Sequence, residues 1–281
     1  MVEGQSRPPR HAFPAIGHVR STRQTRGRGC RPLRVRREGM RMSRFEAMWD
    51  RFWTDLPHTA GASPWDVDPT YVAHAHLKLF GSVLDPSKPV IDVGCGDGTQ
   101  TAAIGQHFER VIGVDVAPSA VERARKYHDA PGVSYEQLDL LKPEQAVALH
   151  DRIGDAGLYV RTVLHAFTPQ ELKLAVTSLA TLAGSTGGAF FYELAPASGE
   201  FISAKLKGEG VPAEKFGFVF ERVPLPVARA EDALQRELVE AGFDIVSTAP
   251  IDYQGTVTEG KRYVNVPAFF VVARAKGAPA H

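Results

Sequence analysis

Three glycines at alternate positions, Gly94, Gly96 and Gly98, end an apolar run that starts at Val90, which predicts a buried strand followed by a tight turn. Glycine lets the main chain approach a ligand closely and adopt dihedral angles that a Cβ would forbid. Open α/β sheets bind ligands at the carboxyl edge of their strands, where this turn is expected. The dinucleotide fingerprint would need a glycine in place of Thr99. The turn therefore predicts a ligand site and argues against NAD or FAD.

Two aspartates stand at the ends of the next two predicted strands. Asp115 closes the second strand, about 20 residues after the turn, where a carboxylate can accept hydrogen bonds from ribose hydroxyls. Asp139 ends the third strand, where it can meet the edge of an adenine ring. Either aspartate alone is a weak signal, because such residues often cap the following helix or turn. Together with the glycine turn they indicate a nucleoside site.

Strands alternate with short helices from Pro89 onward, which predicts a mostly parallel sheet with helices on both faces. Two stretches, Ser119–Glu122 and Thr168–Glu171, have the pattern of capping boxes that begin helices. The fold class is therefore a doubly wound α/β sheet of seven strands. The predicted strands are Val90–Gly94, Val111–Val116, Val133–Leu140, Gly157–His165, Ala189–Leu194, Asp244–Pro250 and Ala268–Ala273.

On these residues the chain resembles the class I S-adenosylmethionine-dependent methyltransferases, with a Rossmann-like fold, over roughly residues 75–275. The resemblance implies that the last strand of the sheet is antiparallel. It also implies that Asp115 holds the ribose hydroxyls of the cofactor and that Asp139 lies beside its adenine amino group. The cofactor-binding residues that it implies are Asp92, Gly94, Gly96, Gly98, Asp115, Val116, Asp139, Leu140 and Arg161.

The implied chemistry is an in-line displacement at the methyl carbon of a sulfonium. Because a sulfonium is a good leaving group, the protein mainly has to align the reactants and exclude water. A base is needed only where the acceptor must lose a proton. His165 is the candidate catalytic base, although it could instead orient the site or bond to the backbone. Arg161 could hold the methionine carboxylate or an acidic acceptor, or form a surface ion pair.

Three further residues near the predicted site have structural alternatives. Tyr192 and Glu193 end the fifth strand and face either the acceptor or the next loop. Cys95, inside the glycine turn, is expected to be a small packing residue and not a nucleophile. No acidic cluster has the spacing of metal ligands, so no metal site is predicted.

Two segments outside the strand–helix alternation could wall the site. Residues 45–88 are expected to form N-terminal cap helices, and an apolar helix face within them packs on the core or covers the cleft. Residues 196–227 exceed the usual length of a structureless loop and are expected to be an insertion on the acceptor side. The members of the helix face are Phe45, Met48, Trp49, Phe52 and Trp53, and Trp65 could belong to the same cap. In the insertion, Phe216, Phe218 and Phe220 would share one side of any strand, as core or as an aromatic wall.

Charge divides the chain into a basic tail and an acidic body. Residues 1–44 hold twelve arginines and two glutamates, a net charge of +10, whereas residues 45–281 carry −9. The tail lacks any helix or strand period and is predicted to be disordered. It could be a nucleic-acid arm, a transit peptide, or the product of a misassigned start before Met40 or Met42. We favour the last, which peptides from residues 1–39 in the native protein would contradict.

The sequence as a whole predicts an enzyme acting on a small molecule. The acidic body argues against nucleic acid as the substrate of the folded domain. Two cysteines and no run of about 18 apolar residues predict a cytoplasmic protein without a membrane span. We expect S-adenosylmethionine-dependent methyl transfer to an O, N or S atom of a small, partly apolar molecule. Methylation of a protein or peptide, and a non-catalytic cofactor-binding module, stay open as alternatives.

Overall fold

The computed structural model describes residues 43–59, 62–63, 65, 67–69, 72–207, 218–219, 221–223, 229–258 and 262–277. The predicted disordered tail lies outside these residues except for Ser43 and Arg44, which begin the first helix. The Ser43 hydroxyl accepts the Glu46 N–H at 3.1 Å, and the Glu46 carboxylate accepts the Ser43 N–H at 3.4 Å. This reciprocal cap marks where the first helix starts.

Seven strands form one sheet in the order β3-β2-β1-β4-β5-β7-β6. Strands β1 to β5 are parallel to one another, and β7 runs antiparallel to both β5 and β6. The predicted fold class is thereby confirmed. The strands are β1 Val90–Val93, β2 Val111–Asp115, β3 Val133–Gln137, β4 Gly157–Arg161, β5 Gly188–Leu194, β6 Phe243–Thr258 and β7 Arg262–Ala275.

The helices follow the strands in the order that the alternation predicts, and two 3₁₀ turns, Gly81–Val83 and Leu164–Ala166, accompany them. None of the helices in the described part of the chain has the length and apolar character needed to cross a membrane. The helices are α1 Arg44–Asp55, α2 Ala73–Phe80, α3 Thr99–Ile104, α4 Pro118–Tyr127, α5 Pro143–Ile153, α6 Pro169–Ala183, α7 Ser198–Lys207 and α8 Glu231–Glu240.

The central strands are apolar on both faces, because successive residues of a strand point to opposite sides of the sheet. In β4, Leu158 and Val160 belong to the core that α5, α6 and α8 cover. Tyr159, between them, belongs to the core that α2, α3 and α7 cover. This burial of both faces explains why the parallel strands are continuous apolar runs in the sequence.

The two strands at the carboxyl end of the chain are longer than predicted. The predicted sixth strand ends at Pro250, but β6 continues to Thr258. Proline is compatible with β6 because β6 is an edge strand, where a missing N–H need not interrupt a ladder. Consequently β6 and β7 extend together past the end of β5, and their extension reaches the carboxyl edge of the sheet.

One predicted capping box is confirmed and the other is wrong. The Thr168 hydroxyl and the Glu171 carboxylate cap the start of α6 reciprocally, with Pro169 in the first turn. At α4 the proline comes earlier: Pro118 begins the helix, so Ser119 lies inside it and makes no cap. Ser119 instead binds α1, where its N–H donates to Asp50 Oδ1 and its hydroxyl to the Asp50 carbonyl, both at 2.9 Å.

Helix α1 is also held at its carboxyl end by a buried arginine of α4. The Arg123 guanidinium donates to the carbonyls of Trp53 at 3.1 Å, Leu56 at 2.8 Å and Pro57 at 3.0 Å. Carbonyls at a helix end lack partners within the helix, so these bonds satisfy them and fix α1 across the sheet edge.

The confirmed cap predicts that alanine substitution lowers stability more at the capping threonine than at a threonine inside α6. We expect Thr168→Ala to lower the free energy of unfolding by about 1 kcal/mol, because the first turn loses its hydroxyl acceptor. Thr177→Ala, at an exposed position inside the same helix, should stay within about 0.5 kcal/mol of the original. Urea unfolding of both variants measures this difference, and equal losses would contradict the capping role.

Candidate functional site

The glycine turn after β1 brings the main chain close to two other parts of the molecule. Gly94 and Gly96 have φ angles of 70° and 56°, in the left-handed region that favours glycine. The Gly94 N–H donates to the Val114 carbonyl of β2 at 2.8 Å. A Cβ on Gly94 would overlap the Val163 side chain, and one on Gly96 would lie 2.7 Å from the Trp53 ring. The turn therefore leaves no space for side chains at these positions.

The Asp115 carboxylate, at the end of β2, joins this turn to the start of α4. Its Oδ2 accepts the Gly96 N–H at 3.0 Å and its Oδ1 accepts the Ala117 N–H at 2.9 Å. Burial raises the pKa of Asp115 to about 6, although these N–H groups oppose the shift. Each carboxylate oxygen can accept a second hydrogen bond, so Asp115 keeps capacity for donors from a ligand.

The second aspartate, Asp139, lies in the turn that follows β3. The predicted third strand contained Asp139, but β3 ends two residues before it, at Gln137. Its Oδ1 accepts the Leu141 N–H at 3.0 Å. Its Oδ2 is buried and accepts no hydrogen bond, and Lys142 Nζ lies 3.6 Å from it. A buried acceptor without a donor is costly in free energy, so this oxygen is suited to a ligand that donates.

Arg161, the last residue of β4, has a buried donor that lacks a hydrogen-bond acceptor. Its Nη2 donates to the Trp65 carbonyl at 3.3 Å, while its Nη1 is buried without a hydrogen-bond partner. The guanidinium lies 5.9 Å from the centre of the Tyr253 ring. Arg161 forms no ion pair with any residue that the structure describes, so the surface ion pair considered from sequence is absent there. The free donor is suited to an anionic group.

His165 lies beyond β4 in a 3₁₀ turn, because the predicted strand Gly157–His165 ends at Arg161. Thr162 has a φ of 54°, a left-handed conformation that turns the chain out of the sheet. The His165 Nδ1 lies 3.0 Å from Glu193 Oε2 of the neighbouring strand β5. The Glu193 side chain therefore faces the turn that follows β4, which is neither the acceptor nor the next loop, the two orientations considered from sequence.

One cavity at the carboxyl edge of the sheet brings most of the predicted residues together. Trp65, three side chains of α1 and apolar residues of later segments form much of its wall. The predicted residues that line it are Gly94, Gly96, Asp115, Val116, Asp139, Leu140, Arg161 and His165. The wall residues are Phe45, Trp49, Trp53 and Trp65 from the N-terminal segment and Leu194, Ile202, Val219, Val223, Tyr253 and Val266 from later segments.

Two predicted site residues, Asp92 and Gly98, do not line this cavity. Asp92 is buried, accepts the Thr101 hydroxyl at 2.6 Å, and has a pKa that burial raises to about 6. A Cβ on Gly98 would lie within 2.9 Å of Ala124 and Tyr135, so this glycine allows close packing below the turn. Both residues support the glycine turn from outside the cavity.

Cys95 lines the cavity within the glycine turn, and its thiol is buried. Burial raises the pKa of Cys95 well above its usual range, so the thiol stays protonated. This state agrees with the packing role that was expected for Cys95.

The N-terminal cap segment (residues 45–88) and the insertion (residues 196–227) contribute to the cavity differently from what the sequence predicted. In α1, Phe52 is fully buried in packing while Trp49 and Trp53 reach the cavity, so the helix both packs and covers. In the insertion, Phe218 and Val219 are helical and not extended. The Phe218 ring packs 5.6 Å from the Phe52 ring. Phe216 and Phe220 lie outside the described residues.

The sequence did not predict how two residues, Tyr253 and Trp53, contribute to the site. Tyr253 was missed because the predicted strand stopped at Pro250, although Ile251, Tyr253 and Gly255 continue its alternation. Trp53 was assigned to a helix face, but nothing in the sequence connects it to Gly96, 43 positions later, which it contacts in the fold.

Comparisons with known proteins agree with this geometry. Residues 90–187 match the family model described as a methyltransferase domain. A SAM-dependent methyltransferase from Anabaena variabilis ATCC 29413, known from a crystal structure, is 31% identical with a TM-score of 0.74, and the alignment covers 82% of this chain and 95% of that one. The chain therefore belongs to the SAM-dependent methyltransferases.

Two curated relatives each match less than a third of the chain. Probable thiol methyltransferase 2 of Arabidopsis thaliana is 33% identical over 88 residues, which are 31% of this chain and 36% of that protein. N-demethylindolmycin N-methyltransferase of Streptomyces griseus is 30% identical over 93 residues, 31% of this chain and 39% of that protein. The chain thus spans less than two fifths of each of these relatives.

The contact between Gly96 and Trp53 predicts unequal effects of two glycine substitutions. Gly154 shares the positive φ but has open space around it, so Gly154→Ala should cost about 1–3 kcal/mol of stability through backbone strain alone. Gly96→Ala should cost about 1–3 kcal/mol more than that, since Trp53 must also move.

Urea unfolding followed by tryptophan fluorescence measures both substitutions, because all three tryptophans of the chain line the cavity. Only Gly96→Ala should change the emission of the folded protein. Equal stability losses and unchanged emission in both variants would contradict the contact.

Proposed function

We propose that this protein transfers a methyl group from S-adenosylmethionine to an O, N or S atom of a small, partly apolar molecule by in-line displacement. The observation that carries the proposal is a set of buried groups without hydrogen-bond partners on residues of one cavity, among them an acceptor on Asp139 and a donor on Arg161, beside the Gln100 amide oxygen. A ligand that pairs with both Asp139 and Arg161 must donate at one end and carry an anion at the other, as does a nucleoside that bears an amino acid with a free carboxylate.

The residues present fit this cofactor. Asp139 Oδ2 would accept from the adenine amino group, and Asp115 would accept from the ribose hydroxyls. Arg161 Nη1 would bind the methionine carboxylate, and the glycine turn would allow the main chain to pass close to the ligand. Val116 and Leu140, beside the two carboxylates, would pack against the adenine ring. When bound, the cofactor supplies a methyl group activated on a sulfonium sulfur.

The protein's contribution to the reaction would be alignment, exclusion of water and, for some acceptors, removal of a proton. The aromatic side chains of α1 cover the cavity and keep water from the reacting atoms. His165 lines the same cavity and is the candidate base.

A small acceptor is favoured by the apolar lining of the cavity. The wall residues are aliphatic and aromatic, which suits a small apolar molecule more than a peptide in an open groove. The two curated relatives described above are named for a thiol and for a small N-containing compound, which supports the same class. Protein or peptide methylation and a non-catalytic cofactor-binding role are the alternatives.

Two further parts of the proposal concern the setting of the protein. We infer that the folded domain does not take nucleic acid as its substrate, since residues 45–281 carry a net charge of −9. We also infer a cytoplasmic location, which the low cysteine content supports.

Calorimetric titration with S-adenosylmethionine and S-adenosylhomocysteine tests the proposal, with Asp115→Asn as the decisive variant. The full-length protein should bind both ligands, and the variant should bind them about a hundredfold more weakly, since a neutral amide cannot replace the carboxylate as a double acceptor. Glu136→Gln, at a half-buried site on β3 that does not line the cavity, is the matched control and should keep the original affinity. Absence of binding by the original protein would overturn the proposal.

Transfer itself is tested by incubating the protein with labelled S-adenosylmethionine and mixtures of small thiols, phenols and amines. Label should appear in an acceptor whose mass has risen by one methylene group. Binding without any loss of label from the donor would support the non-catalytic alternative, and label in a peptide mixture alone would support peptide methylation.

The raised pKa of Asp115 predicts that cofactor affinity depends on pH. Only the ionised carboxylate accepts from both ribose hydroxyls while keeping its two N–H donors, so affinity should fall as pH falls below about 6. Between pH 7.5 and pH 5 we expect the dissociation constant of S-adenosylhomocysteine to rise about tenfold. Asp115→Asn should show a much flatter profile, and an equally steep profile in that variant would assign the effect to another group.

A further inference from the structure

The Glu193 carboxylate makes an unusually complete set of hydrogen bonds with the turn that carries His165. Oε1 accepts the N–H groups of Val163 at 2.9 Å and Leu164 at 2.7 Å. Oε2 accepts the His165 N–H at 3.3 Å and lies 3.0 Å from His165 Nδ1. Glu193 is 3% exposed, so one buried side chain holds both the backbone of the turn and the imidazole ring.

This arrangement determines which nitrogen of His165 carries a proton. An ionised carboxylate can only accept hydrogen bonds, so the contact requires a proton on Nδ1. Nε2 of the neutral ring then has a free lone pair. His165 lines the cavity, and its Nε2 has no hydrogen bond to any residue that the structure describes.

We propose that Glu193 is the positioning residue that makes His165 a general base, and that the acceptor is therefore a thiol or hydroxyl compound that must lose a proton. This inference rests on the proposed function. The proton of the S–H or O–H group passes to Nε2, and the electron pair of the acceptor atom forms the bond to the methyl carbon. The electrons of the broken carbon–sulfur bond stay on the donor sulfur. The resulting imidazolium is stabilised by the adjacent Glu193 carboxylate.

Arg229 also acts on this part of the site. It interacts electrostatically with Glu193 and donates a hydrogen bond to the Phe167 carbonyl, at the end of the same turn.

Nitrogen-15 NMR of histidine-labelled protein tests the positioning without any acceptor. His165→Gln assigns the His165 signal by its loss. In the original protein Nδ1 should carry the proton and Nε2 should be unprotonated. In Glu193→Gln the amide can donate to Nδ1, so the proton should move to Nε2. A proton on Nε2 in the original protein, or no change in Glu193→Gln, would overturn the proposal.

Turnover distinguishes a positioning role from a structural one. At pH 7, Glu193→Gln should lower kcat about a hundredfold for benzyl thiol, which is un-ionised, and leave it nearly unchanged for 4-nitrothiophenol, which is already ionised. Adding Glu193→Gln to His165→Gln should cause no further loss, because Glu193 acts through His165. Equal losses with both thiols would indicate a structural role and contradict the proposal.

Two controls keep the outcomes separate. His150→Gln removes a histidine that also contacts a carboxylate, Asp155, at 3.0 Å but lies outside the cavity, and it should change neither turnover nor the His165 signal. Titration with S-adenosylhomocysteine should give the same affinity for the original protein and Glu193→Gln. Failure of the original protein to bind it would refute the proposed function, whereas the proton position on His165 would still decide the role of Glu193.

Discussion

The hydrogen bonds that Asp115 accepts from Gly96 and Ala117 tie together the turns that follow β1 and β2. These turns leave adjacent strands, and without a shared partner their N–H groups would lack acceptors at a buried edge. The carboxylate satisfies both groups at once, which fixes the distance between the glycine turn and the start of α4. Helix α1 then rests on α4 through Ser119 and covers the same edge.

Burial of charge next to an open cavity follows from that constraint. A carboxylate that holds two turns must be surrounded by them, and burial raises its pKa toward neutrality. Asp139 Oδ2 and Arg161 Nη1 are less well satisfied than Asp115, because each is buried with no hydrogen-bond partner. Such groups cost stability in the free protein, and a ligand that pairs with both recovers that free energy on binding. These unsatisfied polar groups therefore give the cavity its affinity for a ligand with a donor at one end and an anion at the other.

The sequence predicted those parts of the molecule that depend on local chemistry. The glycine turn could be found because a strand, a left-handed turn and a helix follow one another within ten residues. The Thr168 box could be found because the capping residue and Glu171 are three positions apart. The box at Ser119 failed for an equally local reason, since Pro118 had already begun the helix.

What the sequence did not predict depends on contacts between distant segments. Trp53 contacts Gly96 only because Arg123 holds the end of α1 on α4. Tyr253 reaches the cavity only because β6 is an edge strand that tolerates Pro250. The pairing of Glu193 with His165 requires β4 and β5 to be neighbours, which the topology decides and no motif records.

A crystal structure of the protein with S-adenosylhomocysteine bound would test the role of these buried groups. The adenine amino group should lie within hydrogen-bond distance of Asp139 Oδ2, the ribose hydroxyls on Asp115, and the carboxylate on Arg161. A ligand bound in this cavity with neither its amino group on Asp139 nor its carboxylate on Arg161, or bound at another site, would contradict it.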